Sequence, residues 1–427
     1  MQLSTQPYKG ARDFYPEDML MRNYIFDVWK KVLNSYGYVE YDGPFIENFE
    51  LFEAKSGTEL VNEQLYSFVD RGDRKVAIRP EMTPTLARMV AGKYKTLLRP
   101  IRWYSIPNLW RYEKPQRGRL REFFQLNVDV FGVENITADY ELLSIAVDIM
   151  REFKAPKNSF VIKINNRRFM DAFFTQIGIN PNQSYLLKKA IDKKTKIKLT
   201  EFEKLLVDDI GLTKDQLASL LDLFASPKDF LEKPYASELN DLLQLVEKSD
   251  FQEYVEFDPG IMRGLDYYTG NVFEQFDLNP DNTRAMYGGG RYDDLVKLFT
   301  GDNLTGTGFG MGDVTLFNFL QSWNIVPKLS NTIDYLVTVW PKVGFFGVSA
   351  NIASLIRDSG YSAQVWLDES TNLDKQLKYS VKSNIVNVIV LGPTEIENNT
   401  VTIKELSSSS QRTLPLTDFL QSIKKVS

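Results

Sequence analysis

The stretch WRYEKPQRGRLREFFQLNVDVFG, Trp110 to Gly132, decides how this chain folds. In its second half Gln125, Asn127 and Asp129 alternate with Leu126, Val128 and Val130. That period of two predicts a strand over 121–132 with one polar face. Residues 107–112 predict a shorter strand, and the polar EKPQRGRL between the two makes them an antiparallel pair. The connection gathers Arg111, Lys114, Arg117, Arg119 and Arg121 with Glu113 and Glu122. Arginines so close together repel unless an anion or carboxylates sit among them. A polyphosphate suits them, because the guanidinium fork meets its oxygens two at a time. A solvated hairpin with internal ion pairs suits them equally, and the residues alone do not choose.

Two further stretches lie downstream. RGLDYYTG, Arg263 to Gly270, sets an arginine, an aspartate and two tyrosines between glycines. Such a segment can hold an anionic group while phenol hydroxyls read a small polar ligand. GGGRYDDL, Gly288 to Leu295, repeats the logic: glycines admit close approach, and Arg291, Tyr292 and Asp293 supply polar tips. Either alone reads as a turn with buried tyrosines. Two so close, each beside a strand-like run, read as a ligand site.

Around these the chain is organised as follows. Leu20, Tyr24, Val28 and Val32 recur at helical spacing over 16–36, and Gly37 follows as a C-cap would. YVEYDGP reads as a strand ending at Pro44, with further strands over 75–79, 101–106 and 159–164 and a helix over 136–153. From Arg167 to Asp250 glycine is sparse and Leu, Lys, Asp and Glu dominate at helical spacing, which predicts a helical insertion. Strands resume at 254–257, 271–277, 284–287 and 307–311, and a helix over 314–323 closes the region. Past Pro327–Asn331, strands over 333–340, 363–367 and 386–391 alternate with helices over 344–359, 372–382 and 416–425. That alternation predicts a small parallel-type α/β domain. SSSS at 407–410 reads as a loop between strands.

The chain of 427 residues contains no histidine and no cysteine. A Ser–His–Asp triad, an imidazole base, an imidazole-bound metal and disulfides are therefore excluded. A metal would be a hard ion held by oxygens, such as Mg²⁺. No phosphate-binding GxxxxGK[ST] loop and no GxGxxG opening a helix is present. No apolar run long enough for a bilayer and no secretion signal is seen, so no membrane association is expected. The net charge of −5 does not announce a nucleic-acid binder, nor does it forbid a local basic face.

The Trp110–Gly132 stretch resembles motif 2 of class II aminoacyl-tRNA synthetases. RGLDYYTG and GGGRYDDL are similar to the two signature segments of the histidyl-tRNA synthetase family. KGARD at 9–13, RPEMTPTLAR at 79–88 and QLKYSVK at 376–382 resemble further segments of it, and the helix–strand–Pro44 unit resembles motif 1. The resemblance covers essentially the whole chain. It implies an α+β fold, a class II antiparallel β-sheet catalytic core flanked by helices. The core would span 1–166 and 251–326, with a helical insertion over 167–250 and an anticodon-binding α/β domain over 331–427. It implies a cytoplasmic homodimer that joins histidine to tRNA(His), with ATP as substrate and Mg²⁺ as its companion.

Carried over position by position, Arg111 and Arg263 would grip the α-phosphate and serve as the catalytic pair. Arg119 would take the outer phosphates, and Glu113 would lie near the adenine. Glu81 and Thr83 would bind the substrate ammonium. Gln125, Asp129, Tyr267, Tyr268 and Tyr292 would bind histidine, with Asp129 and Tyr268 reading its imidazole. Asp129 otherwise reads as a sheet carboxylate paired with a nearby arginine. The family's motif 3 ends in an arginine, where this chain has Thr315 in GTGFGMGDVTLFNFL. Asp313 beside it reads either as a Mg²⁺ ligand or as a helix cap. Lys188–Lys198 reads as a solvated face or an RNA contact, and Tyr379, Lys378 and Lys382 as anticodon contacts. A synthetase-like regulator that binds histidine without catalysis is the alternative. The absence of histidine from a chain that would supply it to translation fits either expression under histidine starvation or deliberate removal.

Overall fold

The computed structural model describes residues 3–53, 60–194, 197–263, 267–282, 284–408 and 410–424. The chain falls into two compact units: Met1–Phe14 with Arg22–Pro327, and Tyr15–Met21 with Lys328–Ser427.

A nine-stranded sheet organises the first unit. Its strands lie in the order Val39–Glu40, Ile101–Ser105, Glu122–Phe131, Gly306–Gly312, Ala285–Arg291, Asn271–Asp277, Phe160–Asn166 and Val255–Phe257, with Asn108–Trp110 pairing off the path onto Glu122–Phe131. The inner pairs are antiparallel. Only the outermost pair at each end is parallel, so the sheet is mixed at its margins. The predicted hairpin is present, with Asn108–Trp110 paired to Glu122–Phe124. YVEYDGP pairs in register at Val39–Glu40, with one more bond from the Tyr41 amide to the Tyr104 carbonyl, before Gly43 and Pro44 turn the chain away.

Register gives the sheet two unlike faces. Asp129 stands opposite Gly308, and Gly310 stands between Asn127 and Gly288. Glu274 is opposite Gly288. Glycine therefore floors the front face at the middle of the sheet. Side chains one residue out of phase point to the back, where helices cover them. Trp29, from the helix Pro16–Ser35, donates to Met311 Sδ at 3.2 Å. Asp139, from the helix Thr137–Glu152, accepts from Thr307.

Two elements were not foreseen. Thr83–Lys93 is a helix, with Pro84 in its first turn. Ile46–Asn48, Lys75–Ile78 and Ser67–Val69 form a separate antiparallel sheet, of which only the middle strand was predicted. Residues 167–247 are mainly helical, with helices at Arg167–Gln176, Pro181–Lys193, Leu199–Lys204, Lys214–Ala225 and Ser237–Glu247. Capping boxes at Asn180/Gln183 and Thr213/Gln216 start two of them.

The second unit has a five-stranded sheet. Ala363–Val365, Ile333–Val337 and Ile385–Val390 are parallel, as the βα alternation predicts. Thr400–Glu405 and Gln411–Pro415 are added antiparallel, and Ser407 and Ser408 lie in the turn between them.

Candidate active site

The candidate site lies on the glycine floor, and two glycines show why. A Cβ on Gly288 would lie 2.7 Å from Arg263 Nη1 and 2.6 Å from the Phe273 carbonyl oxygen. A Cβ on Gly308 would lie 2.3 Å from Asp129 Oδ1 and 2.9 Å from the Tyr292 hydroxyl. The functional side chains lie down on the sheet because it has no side chains there.

Arg263 has φ of +58°, a left-handed conformation unusual for a residue with a side chain. It is held from two sides. Its Nη1 donates to Glu274 Oε1 at 2.9 Å. Arg167 donates to the carbonyls of Arg263 and Tyr268, both at 2.9 Å, and to that of Met262. Arg167 opens a helix whose N-cap, Asn166, accepts from the Phe169 amide and donates to Asn271. Neither Glu274 nor Arg167 was marked by the sequence reading. The signal for Glu274 was its phase on Asn271–Asp277, which becomes legible only once that strand is known to lie beside Gly288. Gly264, Leu265 and Asp266 of RGLDYYTG lie outside the described residues.

From Arg263 a tyrosine cluster leads across the floor. The Arg263 guanidinium lies 5.7 Å from the Tyr268 ring centre. Tyr268 lies 4.8 Å from Tyr267, and Tyr267 5.9 Å from Tyr292. At one end the Tyr267 hydroxyl donates to buried Glu81 Oε2 at 3.2 Å. Thr83 lies beside the same hydroxyl and begins its helix. Buried Arg79 fixes this turn through Asp42, the Gly43 carbonyl and the Asn108 carbonyl. At the other end the Tyr292 hydroxyl donates to Asp129 Oδ1. Asp129 Oδ2 is buried without a partner. Burial pushes the Asp129 carboxyl up to about 7, against the pull of the Tyr292 hydroxyl. Its partner is thus a phenol and not the arginine of the alternative reading. Gln125 lies on the same face, against Gly310.

The motif 2 connection divides its charges. Arg111 Nε donates to the Pro80 carbonyl at 2.9 Å, and its guanidinium lies 5.3 Å from the Phe123 ring centre. Glu113 stands between Arg111, at 4.0 Å, and Arg119, at 3.1 Å. Arg121 turns away, donating to the Tyr8 hydroxyl at 2.8 Å and stacking over Tyr112 at 4.1 Å. Arg111 and Arg119 are thus grouped around Glu113, which is the internal ion pairing of the solvated-hairpin reading and also leaves the two cations close enough for a shared anion.

Three expectations need correction. Arg291 is no ligand tip. It points to the back of the sheet, pairs with Asp139 and donates to the carbonyls of Val133 and Asn135. Strand alternation puts it opposite in phase to Gly288 and Gly290. Asp293 is also engaged, accepting from Arg168 at 2.6 Å and from Thr269 at 3.0 Å. Asp313 is committed to Arg12 at 2.8 Å and to the Phe124 amide at 3.0 Å and also takes the Val314 amide at the helix start, so it serves the helix end and is no free Mg²⁺ ligand. It occupies the first helical position, behind the N-cap Gly312. Thr315 donates to the Met286 carbonyl at 2.8 Å, so its hydroxyl serves the backbone. Among the described residues no three acidic groups converge as a metal site would need.

The whole arrangement combines arginines for an anion, a carboxylate for an ammonium group and a buried polar pocket for a side chain. Comparison with known proteins gives it a lineage. The histidyl-tRNA synthetase family profile matches residues 10–314. The chain belongs to the histidyl-tRNA synthetase family. An anticodon binding domain profile matches residues 335–426. Over 431 residues the chain is 46% identical to a histidine–tRNA ligase of Leptospira biflexa, covering 99% of this chain and 98% of that one. It is 36% identical to the chloroplastic/mitochondrial histidine–tRNA ligase of Arabidopsis thaliana, covering 98% and 86%. The crystal structure of histidyl-tRNA synthetase from a Nostoc species shares the fold, with a TM-score of 0.79 at 23% identity over 99% of both chains. The class II core and the α/β C-terminal unit of this family are thus the architecture of this protein.

Proposed function

We propose that this protein is a histidine–tRNA ligase and that the residues gathered on the glycine floor carry its chemistry. A carboxylate oxygen of histidine attacks the α-phosphorus of ATP. The bond from that phosphorus to the bridging oxygen breaks, pyrophosphate leaves, and histidyl-adenylate remains. A hydroxyl of the terminal adenosine of tRNA(His) then attacks the acyl carbon, and AMP leaves. Arg263 and Arg111 stabilise charge at the α-phosphate, and Arg119 takes the outer phosphates beside Glu113. Glu81, with Thr83, receives the ammonium group. Gln125, Tyr267, Tyr268, Tyr292 and Asp129 enclose the side chain. A Mg²⁺ accompanying ATP would offset phosphate charge, and Glu274 and Glu113, each of which holds an arginine, would not be its ligands.

The observation that carries this reading is the buried Asp129 with one oxygen free, at the end of a tyrosine cluster that runs to Glu81. A site with an acceptor for an ammonium at one end and for a ring N–H at the other suits histidine. It leaves most other amino acids with an unpaired pocket.

Segments 1–166 and 251–326 form the catalytic body in this reading, 167–250 the insertion, and 331–427 the anticodon domain. The molecule acts as a homodimer. Ile46 and Val69, on the two edges of the small sheet, are 46% and 63% exposed, and Val39 on the edge of the large sheet is 61% exposed. Uncovered apolar edges of this kind call for a partner. No described helix is long and apolar enough to cross a membrane, and the cytoplasm is the compartment proposed.

ATP–pyrophosphate exchange tests the assignment. Exchange that requires histidine is the expected result. Histidine binding without exchange would instead establish the non-catalytic regulator, against which the matched anticodon domain already argues.

A further inference from the structure

Behind the Asp129 carboxylate lie two polar groups that the reading above does not use. Tyr41 follows the edge strand, and its amide donates to the Tyr104 carbonyl at 2.9 Å. Its ring lies 5.7 Å from Trp103, the residue directly opposite Asp129 in register. Ser105 stands on the same strand opposite Asn127 and is fully buried. The buried hydroxyls of Tyr41 and Ser105 meet each other and, among the described residues, no other partner, while Asp129 Oδ2 is buried without one. Burial and then the Asp129 charge raise the Tyr41 hydroxyl well above its usual range, which keeps it a donor.

One orphaned carboxylate oxygen, and two buried hydroxyls that satisfy only each other, on two adjoining strands and the segment beside them are costly in a protein without ligand. Phenylalanine and alanine would fill the same space without that cost. The set contains one acceptor and two hydroxyls able to donate. A neutral imidazole presents one N–H and one bare ring nitrogen, which is the complementary set.

We propose that Tyr41 and Ser105, together with the free oxygen of Asp129, form the end of the pocket that receives the nitrogen-bearing ring of the substrate, and so are specificity-determining residues. The inference rests on the histidine reading. Asp129 Oδ2 accepts the ring N–H. The hydroxyls meet the other nitrogen, directly or through one ordered water. A ring of similar size without nitrogen leaves Asp129 Oδ2 unpaired and the two hydroxyls with only each other, and is rejected.

The test uses the full-length protein with Tyr41→Phe, Ser105→Ala and the double substitution, assayed by ATP–pyrophosphate exchange. The histidine KM is expected to rise about tenfold in the double variant while the ATP KM stays constant. Discrimination against 2-thienylalanine should fall by a similar factor. The melting temperature of the free protein should hold or rise in the double variant, since both partners of a buried hydroxyl pair are removed together. An unchanged histidine KM in the double variant overturns the proposal. So does a parallel rise in both KM values with a lower melting temperature, which would mark the pair as structural. If the unaltered protein shows no histidine-dependent exchange, the parent reading itself has failed, and that outcome is separable from the others.

Discussion

Arg263 is the most constrained of the arginines proposed to serve catalysis. Its left-handed backbone, its contact with Glu274 and its place over Gly288 serve one guanidinium position. Arg263→Ala should lower the exchange rate by about 10²–10³, with circular dichroism unchanged. Gly288→Ala should do nearly as much without touching a charge, because the new methyl occupies the arginine's seat. Asp129 makes a pH prediction. Its carboxyl, raised to about 7 in the folded protein, starts near 4 when unfolded. Across that interval the folded state holds the extra proton, so stability is lost as pH rises through it. Asp129→Asn should therefore melt higher than the parent at pH 8, by up to about 4 kcal/mol of stability, and equal it near pH 4. Thermal melts at the two pH values decide this.

At the scale of elements, the Arg12–Asp313 pair ties the N-terminal segment to the start of the helix Asp313–Ser322. Gly10 adds to the tie, its carbonyl accepting from the Arg121 and Glu122 amides at 2.9 and 3.1 Å. The two partners are unequally buried, with side chains 27% and 5% exposed. Removing Arg12 strands a buried carboxylate, whereas removing Asp313 leaves a cation that reaches water. Arg12→Ala should thus cost roughly 2–4 kcal/mol and Asp313→Ala roughly 1–2 kcal/mol. Denaturant titration of both variants measures the order. Because Asp313 is already paired, Asp313→Ala should leave the dependence of exchange on Mg²⁺ concentration the same as in the parent. A large shift in that dependence would restore the metal-ligand reading.

In the proposed function, the first unit carries the chemistry and the second the RNA recognition. In the second, Tyr379 is 40% exposed and meets Trp366 edge-on at 5.3 Å, with Lys378 and Lys382 on the same helix, Leu373–Lys382. Basic and acidic residues from Asn331 onward number nine each, so any RNA contact there relies on stacking and local charge more than on net field. Tyr379→Ala with Lys382→Ala should weaken tRNA charging about tenfold and leave histidine-dependent exchange unchanged. Equal loss in both assays would refute a role confined to RNA. For assembly, Ile46→Glu should convert the particle to half its mass in sedimentation, since a charge on an exposed apolar edge repels a second copy.

Much of this architecture was legible from one dimension. The strand 122–131 announced itself through the alternation of Gln125, Asn127 and Asp129 with apolar residues, and the helical run beyond Arg167 through its spacing and lack of glycine. These are local signals, set by the periods of the two backbone forms. Family motifs likewise marked Arg263, Asp129 and the tyrosines, because each lies within a short contiguous segment. Which of the polar residues in those segments turn toward the ligand was decided in three dimensions. Arg291 and Tyr292 are neighbours in sequence, yet one pairs with Asp139 behind the sheet while the other meets Asp129 in front. Glu274, Arg167, Tyr41 and Ser105 come to the site from distant segments, and Asp313 finds Arg12 some three hundred positions away. Pairing across strands follows from register and burial, quantities that no single segment contains.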